Sequence, residues 1–126
     1  MKKTYQISES EWLVLQCLWK KSPLEIKEIL AMLQEKTGWN ANMVRTLVVR
    51  LQEKGAIGAE KGGRFYRYYP IVEEQACVQE EAKSFLNRVF EGSPVKMIAA
   101  LTDSGSLTAQ DCREIEAMLR ELKGGK

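Results

Sequence analysis

The order of three helix signals and one hairpin signal in the N-terminal half constrains the fold of this chain most strongly. The range 8–11 (Ser-Glu-Ser-Glu) can form a capping box, because its serine hydroxyl and final glutamate carboxylate can each accept from the other's free backbone amide. A second box at 22–25 has proline at the first helical position and predicts a helix that continues to about Lys36. A third helix is expected from Asn40 to Gly55, since glycine readily adopts the left-handed conformation that ends helices.

A hairpin is predicted after these helices. Two short segments, 56–61 and 64–69, flank the pair Gly62-Gly63, and a two-residue glycine link suits the primed turns of β-hairpins. Pro70 cannot continue the ladder of hydrogen bonds, so the second strand should stop there. Three helices followed by one hairpin is the order of a winged helix-turn-helix domain, which we place at residues 1–71. Another small α+β domain is the alternative that this pattern leaves open.

The C-terminal part of the chain, residues 72–126, is predicted to be wholly helical. One amphipathic helix is expected from Val72 to Phe90, a short one begins at Ser93-Pro94, and a last one opens near Thr108. Three such helices are too few for an independent core, and the simplest partner for their apolar faces is a second copy of the chain. The predicted fold class is therefore mainly α with a small β-hairpin, a winged helix-turn-helix domain followed by a three-helix dimerisation arm. The apolar positions predicted to form the dimer are Val78, Ala82, Phe85, Leu86, Val89, Ile98, Ile115, Leu119 and Leu122.

The two halves of the chain differ in charge, although the net charge is only +2. Residues 1–71 carry twelve Lys/Arg against seven Asp/Glu, or +5, and residues 72–126 carry seven against ten, or −3. A basic N-terminal half and an acidic C-terminal half indicate one lobe that faces a polyanion and one lobe with a different task.

The third helix carries polar and cationic side chains on the face turned away from its apolar stripe. In a major groove, Asn42 could pair with adenine, Arg45 with guanine or a phosphate, and the Thr46 methyl group could pack on thymine. Cations further along the helix and on the hairpin are suited to phosphate contacts, which would make binding sensitive to salt. The alternatives are a solvated helix face, or a winged-helix module used for protein–protein contact. The predicted DNA-binding residues are Asn40, Asn42, Met43, Arg45, Thr46, Arg50, Lys54, Lys61, Arg64 and Arg67.

Residue types that usually carry catalysis and metal binding are scarce. The chain has no histidine, and its three cysteines, Cys17, Cys77 and Cys112, are widely spaced. The usual Cys/His zinc sites and nucleophile–histidine pairs are therefore excluded, and we predict no enzyme activity, no metal site and no cofactor. Thiols on apolar helix faces are typical of buried cysteines, while a thiol-responsive regulator stays open as an alternative.

Hydropathy predicts a cytoplasmic protein without membrane insertion. No apolar run approaches the ~20 residues that a membrane-spanning helix needs. The first ten residues carry charge and lack the apolar segment of a secretory signal.

An ordered set of residues along nearly the whole chain resembles the penicillinase-repressor family (the BlaI, MecI and CopY type). The resemblance implies a homodimeric winged-helix repressor that binds double-stranded DNA at a palindromic operator. In the best-known branch of that family, a membrane zinc-peptidase sensor responds to β-lactam antibiotic and triggers cleavage of the repressor in its helical arm. The residues that carry the resemblance are Ile7–Trp12, Leu18–Lys20, Trp39, Thr46, Arg50-Leu51, Lys54-Gly55, Gly63-Arg64, Tyr66, Tyr68, Pro70, Ser84–Arg88 and Gly92.

Two departures from the family pattern bear on regulation. The copper-responsive branch carries a C-terminal cluster of cysteines. The segment 116–126 has none, which argues against control by copper. In the β-lactam branch the cut bond joins asparagine to phenylalanine, whereas the corresponding position here is Ala100-Leu101. Despite these departures, the resemblance to the β-lactam branch implies a sensor-linked protease as a partner and a cut at Ala100-Leu101. Such a cut would remove the last helix and split the dimer.

Overall fold

The computed structural model describes residues 6–124, which fold into helices and one antiparallel hairpin and confirm the predicted fold class. The chain forms two compact units that divide between Glu80 and Glu81. No helix in the described range is long and apolar enough to cross a membrane. The elements are α1 (Glu9–Lys20), α2 (Ile26–Thr37), α3 (Ala41–Glu53), β1 (Ile57–Lys61), β2 (Tyr66–Pro70), α4 (Glu74–Phe90), α5 (Pro94–Asp103) and α6 (Ala109–Gly124).

The first helix begins as the sequence predicts. The Glu11 amide donates to the Ser8 hydroxyl at 3.1 Å, and the Ser8 amide donates to the Glu11 carboxylate at 2.9 Å. This reciprocal box provides partners for two amides that a helix start would otherwise leave free. The helix ends at Lys20, as expected from the break in its apolar pattern.

The prediction for the start of the second helix is wrong. Leu24 was expected inside the helix, but it lies in extended backbone: its amide donates to the Tyr68 carbonyl at 3.0 Å and the Tyr68 amide donates back at 2.8 Å. The side chain of Leu24 is only 2% exposed. Because the hairpin takes both backbone groups of Leu24, α2 can begin only at Ile26, with Glu25 as its N-cap.

The third helix agrees with its prediction at both ends. The Asn40 side-chain oxygen accepts from the Met43 amide at 3.0 Å, and Gly55 after the helix has a φ of 80°, the left-handed conformation that ends helices. Its apolar stripe is fully buried between α1 and α2. The core of the first unit consists of Val14, Leu15, Cys17, Leu18, Leu24, Ile29, Leu33, Val44, Leu47, Val48, Leu51, Ala56 and Ile57.

The turn of the hairpin is longer than the sequence suggested. Lys61 pairs with Tyr66, so residues 62–65 form the connection in place of the two glycines alone. The pairing of Ala59 with Tyr68 explains this, because Tyr68 packs against the core and one residue of slippage would turn it to solvent. With that register set, Arg64 and Phe65 have no partner residues in β1 and lie at the tip.

The chain leaves the hairpin along the first unit before α4 begins. The Ile71 amide donates to the Ala56 carbonyl at 2.8 Å, and the Trp19 indole donates to the Val72 carbonyl at 3.1 Å. These contacts engage the backbone of residues 71 and 72 outside any helix, and α4 starts at Glu74, two residues later than predicted. They also attach residues 71 and 72 to the first unit.

The second unit contains helices with well-formed ends and no core. Ser93 caps α5 by accepting from the Lys96 amide at 3.1 Å. The Thr108 amide donates to the Asp111 carboxylate and the Asp111 amide donates to the Thr108 hydroxyl, each at 3.0 Å. None of the described residues from 81 to 124 is buried. The helices of this unit therefore end as local signals predict, while their apolar faces have little cover.

A partly buried ion pair joins the start of α1 to the end of α3. The Lys54 ammonium contacts the Glu11 carboxylate and the Gln6 carbonyl, and Glu11 is only 2% exposed. Burial acts to raise the pKa of Glu11, but the hydrogen bonds from Lys54 and the Ser8 amide, with the charge of Lys54, outweigh it. The pKa of Glu11 therefore lies below its ordinary value, and the carboxylate stays ionised at neutral pH.

Replacing Lys54 by methionine tests the weight of this pair. The Glu11 carboxylate would stay buried without its cation, so we expect Lys54→Met to lower the free energy of unfolding by about 2 kcal/mol. The loss is moderated because Lys54 is one-third exposed and solvent screens its charge. Urea unfolding at neutral pH, followed by tryptophan fluorescence, gives this difference.

Lys36→Met is the matched control, since Lys36 is an exposed lysine near the end of α2. If Lys54→Met is as stable as that control, the ion pair does not contribute to the free energy of unfolding. The lowered pKa also fixes the sign of the pH effect: the stabilisation by Glu11 is present above about pH 4.3 and is lost as the pH falls through its pKa in the folded protein. The Glu11→Gln variant should lack that part of the acid dependence.

Candidate nucleic-acid interface

One side of α3 is built into the core and the other faces solvent. Val44, Leu47 and Leu51 are fully buried, which fixes the rotation of the helix about its axis. The outward side chains follow from this rotation. Exposed on the helix are Asn42, Arg45, Thr46, Val49, Arg50, Gln52 and Glu53.

Hydrogen bonds between residues three or four apart link the side chains of the first two turns of this outer face. The Arg45 guanidinium donates to the Asn42 side-chain oxygen at 2.9 Å, and the Thr46 hydroxyl donates to the Asn42 backbone carbonyl at 3.0 Å. The Asn40 oxygen is taken by its capping bond, and Met43 is half-buried at the edge of the core. The side chains of Asn42 and Arg45 thus lie side by side on the exposed face. Both can break the hydrogen bond between them and form hydrogen bonds to a ligand instead.

The hairpin, which we call the wing, carries a second group of cations. Lys61 and Arg64 are exposed, and the Arg64 guanidinium lies 5.7 Å from the centre of the Phe65 ring. Arg67 lies on the other face of the wing, 3.9 Å from Glu60, which offsets its charge. A Cβ atom at Gly62 would lie 2.2 Å from Nε of Arg67, so the glycine lets this side chain pass close to the backbone.

Phe65 is a residue of this surface that the sequence analysis missed. It is 54% exposed, as is Tyr66, whereas Tyr68 packs against the core. The alternation of arginines with aromatics in 64–69 was the available signal. This alternation alone does not tell which aromatic residue faces solvent, as Phe65 does, and which faces the core, as Tyr68 does. The register of the strands is needed for that distinction.

The structure gives the predicted residue Lys54 a different contact. Its ammonium is engaged with Glu11, inside the domain, so we assign it a structural role. By contrast, Arg45 of α3 and Arg64 of the wing line the same pocket, which brings the two cationic groups together. The arrangement can therefore present hydrogen-bond donors and positive charge to one extended anionic ligand.

Chemistry of other kinds has little support within residues 6–124. No group of three or more Cys, Asp or Glu side chains lies close enough together there to hold a metal ion. Cys17 is buried, and burial raises the pKa of its thiol despite the nearby Lys20 and Lys36 charges. Cys77 is also buried, while Cys112 is exposed on α6. A buried thiol with a raised pKa is a poor nucleophile, which disfavours Cys17 as a redox sensor.

The residues predicted to form a dimer lie on α4, α5 and α6. Leu86 and Ile115 are half-buried, and the others are exposed to a larger degree. Ala100 and Leu101, the predicted cut site, lie within α5. The exposed dimer candidates are Val78, Ala82, Phe85, Val89, Ile98, Leu119 and Leu122.

Three core helices, an exposed third helix and an adjoining β-hairpin define the first unit as a winged helix-turn-helix domain. The model of the penicillinase repressor family matches residues 7–121. The chain belongs to this family, and the resemblance found in the sequence is confirmed.

Similar proteins match over most of the chain. A penicillinase repressor of Bacillus licheniformis is 31% identical over all of this chain and 98% of its own length. The methicillin resistance regulatory protein MecI of Mammaliicoccus sciuri is 29% identical over 94% of this chain and 97% of its own. The solution structure of monomeric Bacillus licheniformis BlaI in complex with the blaP half-operator is 35% identical, with a TM-score of 0.52, and covers 60% of this chain and 92% of that one.

Proposed function

We propose that this chain is a DNA-binding transcriptional repressor that acts as a homodimer on a palindromic operator. The observation that carries the proposal is the exposed face of α3, with Asn42, Arg45 and Thr46, next to the cationic wing. Membership of a repressor family and the half-operator complex of a 35% identical relative support it.

In this proposal α3 enters the major groove. Asn42 and Arg45 give up their mutual hydrogen bond and pair with base edges, a pairing that discriminates between bases. Arg50, further along the helix, contacts the phosphate backbone. The wing cations Lys61 and Arg64 contact the neighbouring phosphates or the minor groove, so a large share of the affinity is electrostatic.

Dimerisation is proposed because the second unit lacks a core. Leu119 and Leu122 on α6 are 54% and 63% exposed, and Phe85 and Val89 on α4 are 40% and 49% exposed. Large apolar side chains repeated at helical spacing would leave this surface unfavourably hydrated in a monomer. A symmetric copy offers the same surface in return, which is the simplest way to cover it.

Release of the repressor is proposed to follow a cut between Ala100 and Leu101 by a sensor-linked protease after a β-lactam-type signal. The Ser104 amide donates to the Ala100 carbonyl at 3.0 Å, and the Ser106 amide donates to the Leu101 carbonyl at 3.1 Å. The end of α5 must therefore open before a protease can reach the bond. With no buried residue in α5, this opening gives up little apolar contact.

Selection from a library of random DNA duplexes near physiological salt tests the function directly. We expect a palindrome whose half-site centres lie one helical turn, about 34 Å, or a multiple of it apart. Sequencing of the bound fraction gives the consensus. Recovery of no consensus, with only weak salt-sensitive binding, would count for the alternative of a protein-interaction module.

Alanine variants of Arg45 and Arg64 separate base reading from phosphate contact. Arg45→Ala should cost about 1–3 kcal/mol of binding free energy and relax base preference at one position of each half-site. Arg64→Ala should weaken binding evenly across sequences and reduce the salt slope by about 1. Fluorescence anisotropy on the selected duplex and its point variants measures both effects. Lys21→Ala, an exposed lysine at the end of α1, is the control, and undiminished affinity and selectivity in Arg45→Ala would refute the assignment.

Two changes in α6 test the dimer. Leu119→Glu places a charge in the apolar stripe and should give a monomer at micromolar concentration, because a carboxylate is costly to bury at an interface. Ala117→Glu adds the same charge on the opposite side of the helix and should stay dimeric. A chain ending at Ala100 should be monomeric and lose most of its operator affinity. Sedimentation analysis and anisotropy give the readouts, and a dimeric Leu119→Glu would rule out this interface.

A further inference from the structure

A pocket of about 340 Å³ lies in the first unit between the start of α2, the start of α3 and the tip of the wing. Three of its lining residues, Ile26, Leu30 and Ala41, are apolar and half-buried, and we call them the floor. Phe65 and Tyr66 form the wall on the wing side. The proposed contacts with base edges do not use this apolar floor, and its volume suits a small molecule.

The charges at the pocket are unequal. Arg45, Arg64 and Lys27 line it together with one carboxylate, Glu25. The Lys27 ammonium lies 3.8 Å from that carboxylate and offsets part of its charge, so the two guanidiniums leave the lining with an excess of positive charge. Guanidinium groups bind carboxylates through paired hydrogen bonds, which favours an anionic ligand at this rim.

We infer that this pocket binds a small amphipathic anion, an aromatic or aliphatic carboxylate, and that the bound ligand displaces DNA. The apolar part lies on Ile26 and Leu30 against the Phe65 ring, and the carboxylate pairs with Arg45 and Arg64. The displacement rests on the proposed function, since the ligand occupies two of the cations that DNA binding needs. It gives the protein a small-molecule input that requires no cut in the chain.

The test uses the full-length protein and 1-naphthoate as the probe, with neutral 1-naphthamide as its matched analogue. Isothermal titration without DNA should give binding of naphthoate below 1 mM, and binding of the amide about tenfold weaker or more. Arg64→Gln removes an exposed cation from the rim, and Ala41→Met adds a side chain at the floor. Both should weaken naphthoate binding at least about fivefold, whereas Lys21→Gln, which lies outside the pocket, should leave it unchanged.

The second part measures DNA affinity with naphthoate present. At about ten times its dissociation constant, naphthoate should lower the affinity for the selected duplex at least about tenfold, as expected for mutually exclusive ligands. Absence of naphthoate binding, or equal binding by the wild type, Arg64→Gln and Ala41→Met, would overturn the inference, and so would unchanged DNA affinity at saturation. Because the titration contains no DNA, a protein that binds naphthoate through Arg64 and binds no duplex counts against the proposed function and supports the pocket.

Discussion

The two backbone hydrogen bonds between Leu24 and Tyr68 join the wing to the helices, and the interface depends on them. They fix the register of the hairpin, because Tyr68 must face the core while it pairs with both Leu24 and Ala59. That register leaves residues 62–65 as the tip and brings Arg64 to the same pocket as Arg45. The relation between the wing and α3 thus follows from a short backbone contact between Leu24 and Tyr68.

The two units differ in how they bury apolar surface. In the first unit the apolar stripes of α1, α2 and α3 meet in one core, and most of its exposed side chains are polar or charged. In the second unit the helices are capped and regular, yet none of the described residues from 81 to 124 is buried. Caps stabilise helix ends locally, whereas most helical stability in proteins comes from packing of an apolar face. The second unit therefore needs a cover that the first does not.

The sequence predicted correctly those helix ends that depend only on residues close to one another in the chain. The box at Ser8, the cap at Asn40 and the left-handed glycine at 55 involve neighbouring residues, and the sequence located them correctly. The sequence did not reveal contacts in which a distant residue engages a backbone group or a charge. The helix start expected at 22–25 was wrong because Leu24 pairs with Tyr68, and the Lys54 ammonium, predicted to bind DNA, contacts the Glu11 carboxylate in the structure. Neither partner could be found from spacing along the chain, since both lie more than forty residues away.

The independence of the first core has a consequence for regulation. Removal of α6 would leave the buried residues of the winged helix untouched, because all of its core residues precede Gly58 in the chain. In the proposed dimer, cleavage in α5 would act on the linkage between two DNA-reading domains and would leave each domain able to fold and to contact a half-site. Two linked half-site contacts bind far more tightly than one, since the second contact forms at a high effective concentration. In the proposed repressor, a cut in α5 thus lowers affinity by loss of this linkage, while a ligand at the wing would act on each reading domain separately.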